Sequence, residues 1–125
     1  MNLLKQGLFL SIILLVGCAS TEVKKDQPKA SNLTDAQIEM LIVGKTMFDV
    51  DKRWTQKMSA DGTMIETSGS GTENGSYTIK DGKYCSKWKY KRDGSTACWT
   101  IQKRAKYYSA KLVSGPSRSF KFNVR

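Results

Sequence analysis

Side chains able to do chemistry are few in this chain of 125 residues, and one type is missing. There is no histidine, which removes the commonest general base, the commonest zinc ligand and any Ser-His or Cys-His pair. Asp49 and Asp51 alternate along a candidate strand and would stand about 7 Å apart on one face. Such a separation suits two carboxylates with a water between them, as inverting glycoside hydrolysis requires. Neither has a neighbour that would raise its pKa, so a solvated strand edge is the expectation. Ser86 and Lys89 form the one Ser-x-x-Lys in the chain. A lysine activates a serine at that spacing on a helix, where positions three apart are neighbours. On a strand the two point to opposite faces. Gly44-Lys45-Thr46 ends like a phosphate-binding loop, but Glu39 stands where the first glycine is needed. That motif also requires a strand before it and a helix after it, the reverse of the order here. No catalysis and no cofactor are expected.

Charge is the stronger signal. Residues 18–75 hold seven Lys/Arg against nine Asp/Glu, a balance of −2, whereas residues 76–125 hold thirteen against two, a balance of +11. The densest run is Lys83-Tyr-Cys-Ser-Lys87-Trp-Lys89-Tyr-Lys91-Arg92. On a strand Lys83, Lys87 and Lys89 share one outward face with Cys85, Lys91 and Arg92 crown the hairpin, and Arg104 extends the face on the next strand. Such a patch attracts polyanions. Lysines on strands also serve solubility and deter sheet-to-sheet aggregation, which is the plainer reading.

The elements that would position these residues can be read from periodicity. Thr34 with Gln37 makes a capping box, and Leu33 with Ile38 a hydrophobic staple. Ile38, Leu41 and Ile42 share one face, and Gly44 can end the helix, so a helix is predicted over residues 35–43. Beyond it the period becomes two. Asp61-Gly62, Asn74-Gly75, Asp81-Gly82 and Asp93-Gly94 are turn signals. Eight short strands are predicted, near residues 46–50, 54–58, 63–67, 76–79, 83–90, 96–103, 107–113 and 120–124, with a flexible loop over 69–75. In the first, Phe48 and Val50 alternate together; in the second, Trp54 and Met58; in the last, Phe120, Phe122 and Val124. Successive hairpins imply a mainly β antiparallel meander, either a small closed barrel or a strongly curved sheet, with one N-terminal helix.

The amino-terminal segment carries a resemblance. Lys5 precedes the uncharged run Gly7 to Val16, too short to span a bilayer in a helix. The run ends in Leu15-Val16-Gly17-Cys18, which resembles the lipobox of bacterial lipoproteins. The resemblance implies a signal peptide over 1–17, cleavage before Cys18 and acylation of that residue. An ordinary secretory signal is the alternative. Two or more acyl chains hold a protein stably on a membrane. Ala19, where such lipoproteins of the inner membrane carry aspartate, implies the outer membrane of a Gram-negative cell. Residues 18–32 read as the lipidated cysteine and a disordered tether, and 33–125 as one β domain.

With Cys18 occupied by lipid, Cys85 and Cys98 remain in an oxidising compartment and make an even pair for a disulfide. Strand parity agrees. If Cys85 opposes Cys98, then Tyr84 opposes Trp99 and Ser86 opposes Ala97, leaving Tyr84, Trp88, Trp99 and Ile101 on the core face. A metal site is excluded, since two thiols without histidine or a further cysteine fall short of four ligands. Gly44-Lys-Thr46, Asp61-Gly-Thr63, Gly75-Ser-Tyr77, Asp81-Gly-Lys-Tyr-Cys85, Trp88 and Cys98-Trp99 together look like small exported proteobacterial proteins of uncharacterised function. That resemblance implies fold and compartment and no activity. The expectation is a monomeric, lipid-anchored cell-envelope protein that binds acidic glycan, lipopolysaccharide or anionic lipid through the basic hairpin, and no nucleic acid. Two alternatives stand beside it. One is a carrier of a small apolar ligand in a cavity lined by Tyr84, Trp88, Trp99, Phe120 and Phe122; the other is a module that binds or inhibits another envelope protein.

Overall fold

The computed structural model describes residues 31–125. The expected signal peptide, the lipobox-like Leu15 to Cys18 and all but the last two residues of the expected tether lie outside the described residues. The first described contacts hold the chain to the domain. Asn32 bridges to Gln102, whose Nε2 donates to Asn32 Oδ1 at 3.0 Å, and the Leu33 N–H donates to the Ile101 carbonyl. Helix α1, Asp35–Ile42, follows at once. Its capping box is complete: Gln37 N–H donates to Thr34 Oγ1 at 3.3 Å, and Thr34 N–H donates to Gln37 Oε1 at 2.9 Å. Gly44, at φ +72°, then turns the chain out of the helix.

Eight antiparallel strands follow, β1 (Thr46–Asp49), β2 (Trp54–Met58), β3 (Thr63–Ser68), β4 (Gly71–Lys80), β5 (Lys83–Trp88), β6 (Thr96–Lys103), β7 (Tyr108–Leu112) and β8 (Ser119–Val124). Each pairs with the next, and β8 returns to β1 through Met47 opposite Val124 and Asp49 opposite Phe122. The sheet is therefore a closed barrel. Closure removes free edges, which explains how a domain this small tolerates eight short strands. The Cys85–Cys98 register is the one expected from parity, with the sulfurs 2.13 Å apart, at disulfide distance, and with Tyr84 opposite Trp99.

Two local expectations are corrected. Of residues 69–75 only Gly69 and Ser70 form the connection, because β4 begins at Gly71 and runs ten residues. Its Asn74-Gly75 is mid-strand, and the glycine serves packing. A Cβ there would sit 2.7 Å from the Trp88 ring and 2.8 Å from the Lys87 carbonyl. In β1 the parity is inverted. Met47 and Asp49 face inward and Phe48 outward, under the Arg125 guanidinium.

The interior is layered along the barrel axis. Helix α1 plugs one end with Ile38 and Ile42, both fully buried. Above them lies an apolar layer of Met47, Met58, Met64, Ile101 and Phe122. Inward positions nearer the other end are polar or aromatic instead: Gln56 and Glu66 beside Trp54, Trp88 and Trp99. Among the described residues nothing plugs that end.

Candidate functional site

At the unplugged end the barrel holds a cavity of about 230 Å³. Its two sides differ in chemistry. Trp99 on β6, Phe120 on β8 and Trp54 on β2 make a continuous aromatic wall, with edge contacts of 4.8 Å between Trp99 and Phe120 and 5.6 Å between Phe120 and Trp54. Gln56, Glu66 and Ser86 make the other wall, each more than nine-tenths buried. Gln56 Nε2 donates to Glu66 Oε2 at 2.7 Å. Tyr84 OH reaches Gln56 Oε1 at 3.4 Å from the cavity floor, and burial pushes its phenol pKa up. A core built only for stability would place apolar side chains at these three positions, since a buried polar group must keep a partner.

The rim is formed by the connection between β5 and β6. Arg92 and Asp93 adopt left-handed conformations, φ +53° and +52°, which bend this turn over the mouth. Two such non-glycine residues cost about 1–3 kcal/mol each. Glu73 on β4 holds the residues that lead into them. Its Oε1 accepts the Tyr90 and Lys91 N–H groups, both at 2.9 Å, and its Oε2 lies 3.7 Å from the Lys91 ammonium. Burial alone would raise the Glu73 carboxyl, but those two N–H donors and the Lys91 charge outweigh it and hold the pKa below the ordinary carboxylate value. The Lys91 ammonium also pairs with Glu66 and lies 5.2 Å from the centre of the Trp88 ring. The Arg92 guanidinium lies 5.2 Å over Trp99 and has no salt bridge among the described residues.

The proposed basic patch therefore divides. Lys83 and Lys87 sit on the outer face of β5 beside Cys85, and Lys89 follows just past its end, exposed. Lys91 and Arg92 do not crown that face; they turn inward and line the cavity. Arg104 lies in the turn after β6, at the plugged end, where its N–H donates to the Tyr107 carbonyl. The two aspartates also part company. Asp51 is exposed, whereas Asp49 is buried at 1% exposure and accepts from Arg53 Nε at 2.6 Å and from the Arg53 N–H at 3.2 Å. The hydrogen bond from the Arg53 side chain holds its carboxyl below the ordinary value despite burial, so it has the character of a structural anion rather than a proton donor.

Of the residues expected to line a cavity, Tyr84, Trp88, Trp99 and Phe120 do so, while Phe122 lies deeper and fully buried. The polar wall was missed, although the signal was present. Gln56 stands between Trp54 and Met58 at the same inward parity, and Glu66 shares a face with Met64. No protein-family model, characterised protein or solved structure matches the chain.

Proposed function

We propose that this chain is a non-catalytic binding protein that takes a small molecule into the open mouth of its barrel. The observation that carries the reading is the cavity itself, where three buried polar side chains face an aromatic wall at the one end left unplugged. A cavity of about 230 Å³ lies below the usual 300–1,000 Å³ of drug-sized pockets, so the ligand is small. The polar wall argues against the purely apolar ligand expected from the aromatic residues alone, because such a ligand would strip water from Gln56, Glu66 and Ser86 without replacing it. The lipobox-like segment supports a place in the cell envelope, tethered at Cys18 on the outer membrane. The described chain enters the domain at Asn32, at the plugged end, opposite the mouth.

All three tryptophans of the chain line the cavity, so intrinsic fluorescence reads its occupancy directly. Anilinonaphthalene sulfonate, an aromatic anion, should bind at a single saturable site with energy transfer from these indoles. Ser86→Phe, which fills the mouth, should abolish that transfer while leaving the circular dichroism spectrum unchanged. Probe binding that survives Ser86→Phe would sink the reading.

A second reading rests on the outer face of β5 to β7. There Lys87, Lys89 and Lys111 are exposed and make no salt bridge among the described residues. It keeps the anionic envelope polymer as partner. Binding of that kind weakens steeply with salt and ignores Ser86→Phe, which separates it from the first.

A further inference from the structure

We infer that the ligand of the mouth is an acidic sugar: one hexuronate-like ring, its carboxylate on Arg92. The inference rests on the mouth being a binding site. A two-sided cavity calls for a two-sided ligand. A pyranose ring has faces of C–H groups and a rim of hydroxyls, each hydroxyl both donor and acceptor. The wall of Trp99, Phe120 and Trp54 offers apolar ring surface to the C–H groups. The opposite wall offers both kinds of hydrogen-bonding partner. The Glu66 carboxylate accepts one bond at each oxygen, from Gln56 and from Lys91, and keeps acceptor capacity on both. Gln56 retains a second amide hydrogen, and the Ser86 hydroxyl can donate or accept. A flat aromatic ligand would use the first wall and leave the second unpaired. The volume agrees: at about 30 Å³ per water, the cavity displaces roughly eight waters, the scale of one sugar ring and not of a lipid chain.

Charge placement supplies the acidic group. Glu66 on β3 and Glu73 on β4 share the single Lys91 ammonium, so that side keeps one uncompensated negative charge and turns a ligand carboxylate away. Arg92 has no acidic partner among the described residues. It lies over Trp99 on β6, three strands around the barrel from Glu66. A carboxylate bound there accepts a forked pair of N–H bonds at the rim and stays clear of Glu66.

The test displaces anilinonaphthalene sulfonate from the full chain with D-glucuronate, methyl β-D-glucuronide and D-glucose, following tryptophan fluorescence. Glucuronate should bind at least tenfold more tightly than glucose. Arg92→Gln should bring the ratio of glucuronate to glucose affinity down to about one, and Arg92→Lys should restore part of it. Equal affinity for glucuronide and free acid identifies the end of a glycan chain as a source; loss with the glucuronide identifies the free acid. Equal binding of glucuronate and glucose, or indifference to Arg92→Gln, overturns the acidic assignment. Probe binding that no sugar displaces overturns the ligand class and leaves the mouth standing as a site. Glucuronate added alone should also change the tryptophan emission, and absence of any change with either probe or glucuronate removes both.

Discussion

At Gly75 and Asp49 side-chain chemistry and barrel geometry conflict with the residues' ordinary preferences. Gly75 has no side chain because the Trp88 ring lies where its Cβ would be. Gly75→Ala should destabilise by about 1–3 kcal/mol through overpacking, read as a lower denaturant midpoint with unchanged slope. Asp49 is an inward carboxylate held by Arg53. Its folded-state pKa lies below the unfolded value, so its stabilisation is complete above the unfolded value of about 4 and is lost as pH falls through the folded one. Stability measured by urea titration should drop steeply below about pH 4, and Asp49→Asn should flatten that slope while costing about 1–3 kcal/mol at neutral pH. These are also the residues that hydropathy misplaces. An Asn-Gly reads as a turn, and an aspartate beside apolar residues reads as the wet side of a strand. What moves each inward is a partner that alternation does not encode, Trp88 from the next strand in one case and Arg53 from the adjoining loop in the other. Lys91 and Arg92 follow the same logic, since their turn is bent inward by Glu73 on another strand.

At the scale of elements the sequence was far more legible. The capping box set the start of α1, and β2 and β6 have the bounds expected of them. Parity places Cys85 against Cys98 because a one-residue slip would carry outward either Tyr84 and Trp88 or Trp99 and Ile101. Closure of the sheet was open between two forms, since only the β1 and β8 pairing distinguishes a barrel from a curved sheet. The rim turn is the element whose shape depends most on a distant side chain. Glu73→Gln keeps an acceptor for the Tyr90 and Lys91 amides but loses the charge opposite the Lys91 ammonium; Glu73→Ala loses both. Amide hydrogen exchange should therefore quicken at Tyr90 and Lys91 in the order wild type, Gln, Ala, with exchange in β7 and β8 unaffected.

Over the whole molecule the two ends of the barrel carry different duties. Ile38 and Ile42 close one end, and the cavity opens at the other with an apolar layer between them. Ile38→Ala should cost about 2–5 kcal/mol of stability. Under native conditions it should leave anilinonaphthalene sulfonate affinity at the mouth within a factor of two, as independent sites require. A coupled loss of affinity would mean that the apolar layer does not separate the ends.

The described chain comes in at Asn32 beside Gln102, and its last residue, Arg125, pairs with Thr46, so both strand-free extremities sit on the plugged side. The indoles cluster at the opposite pole. A linker, dye or solid support joined at either extremity would leave the other pole clear. Under the proposed function the domain would work as an optical sensor, held by one end and reporting from the other.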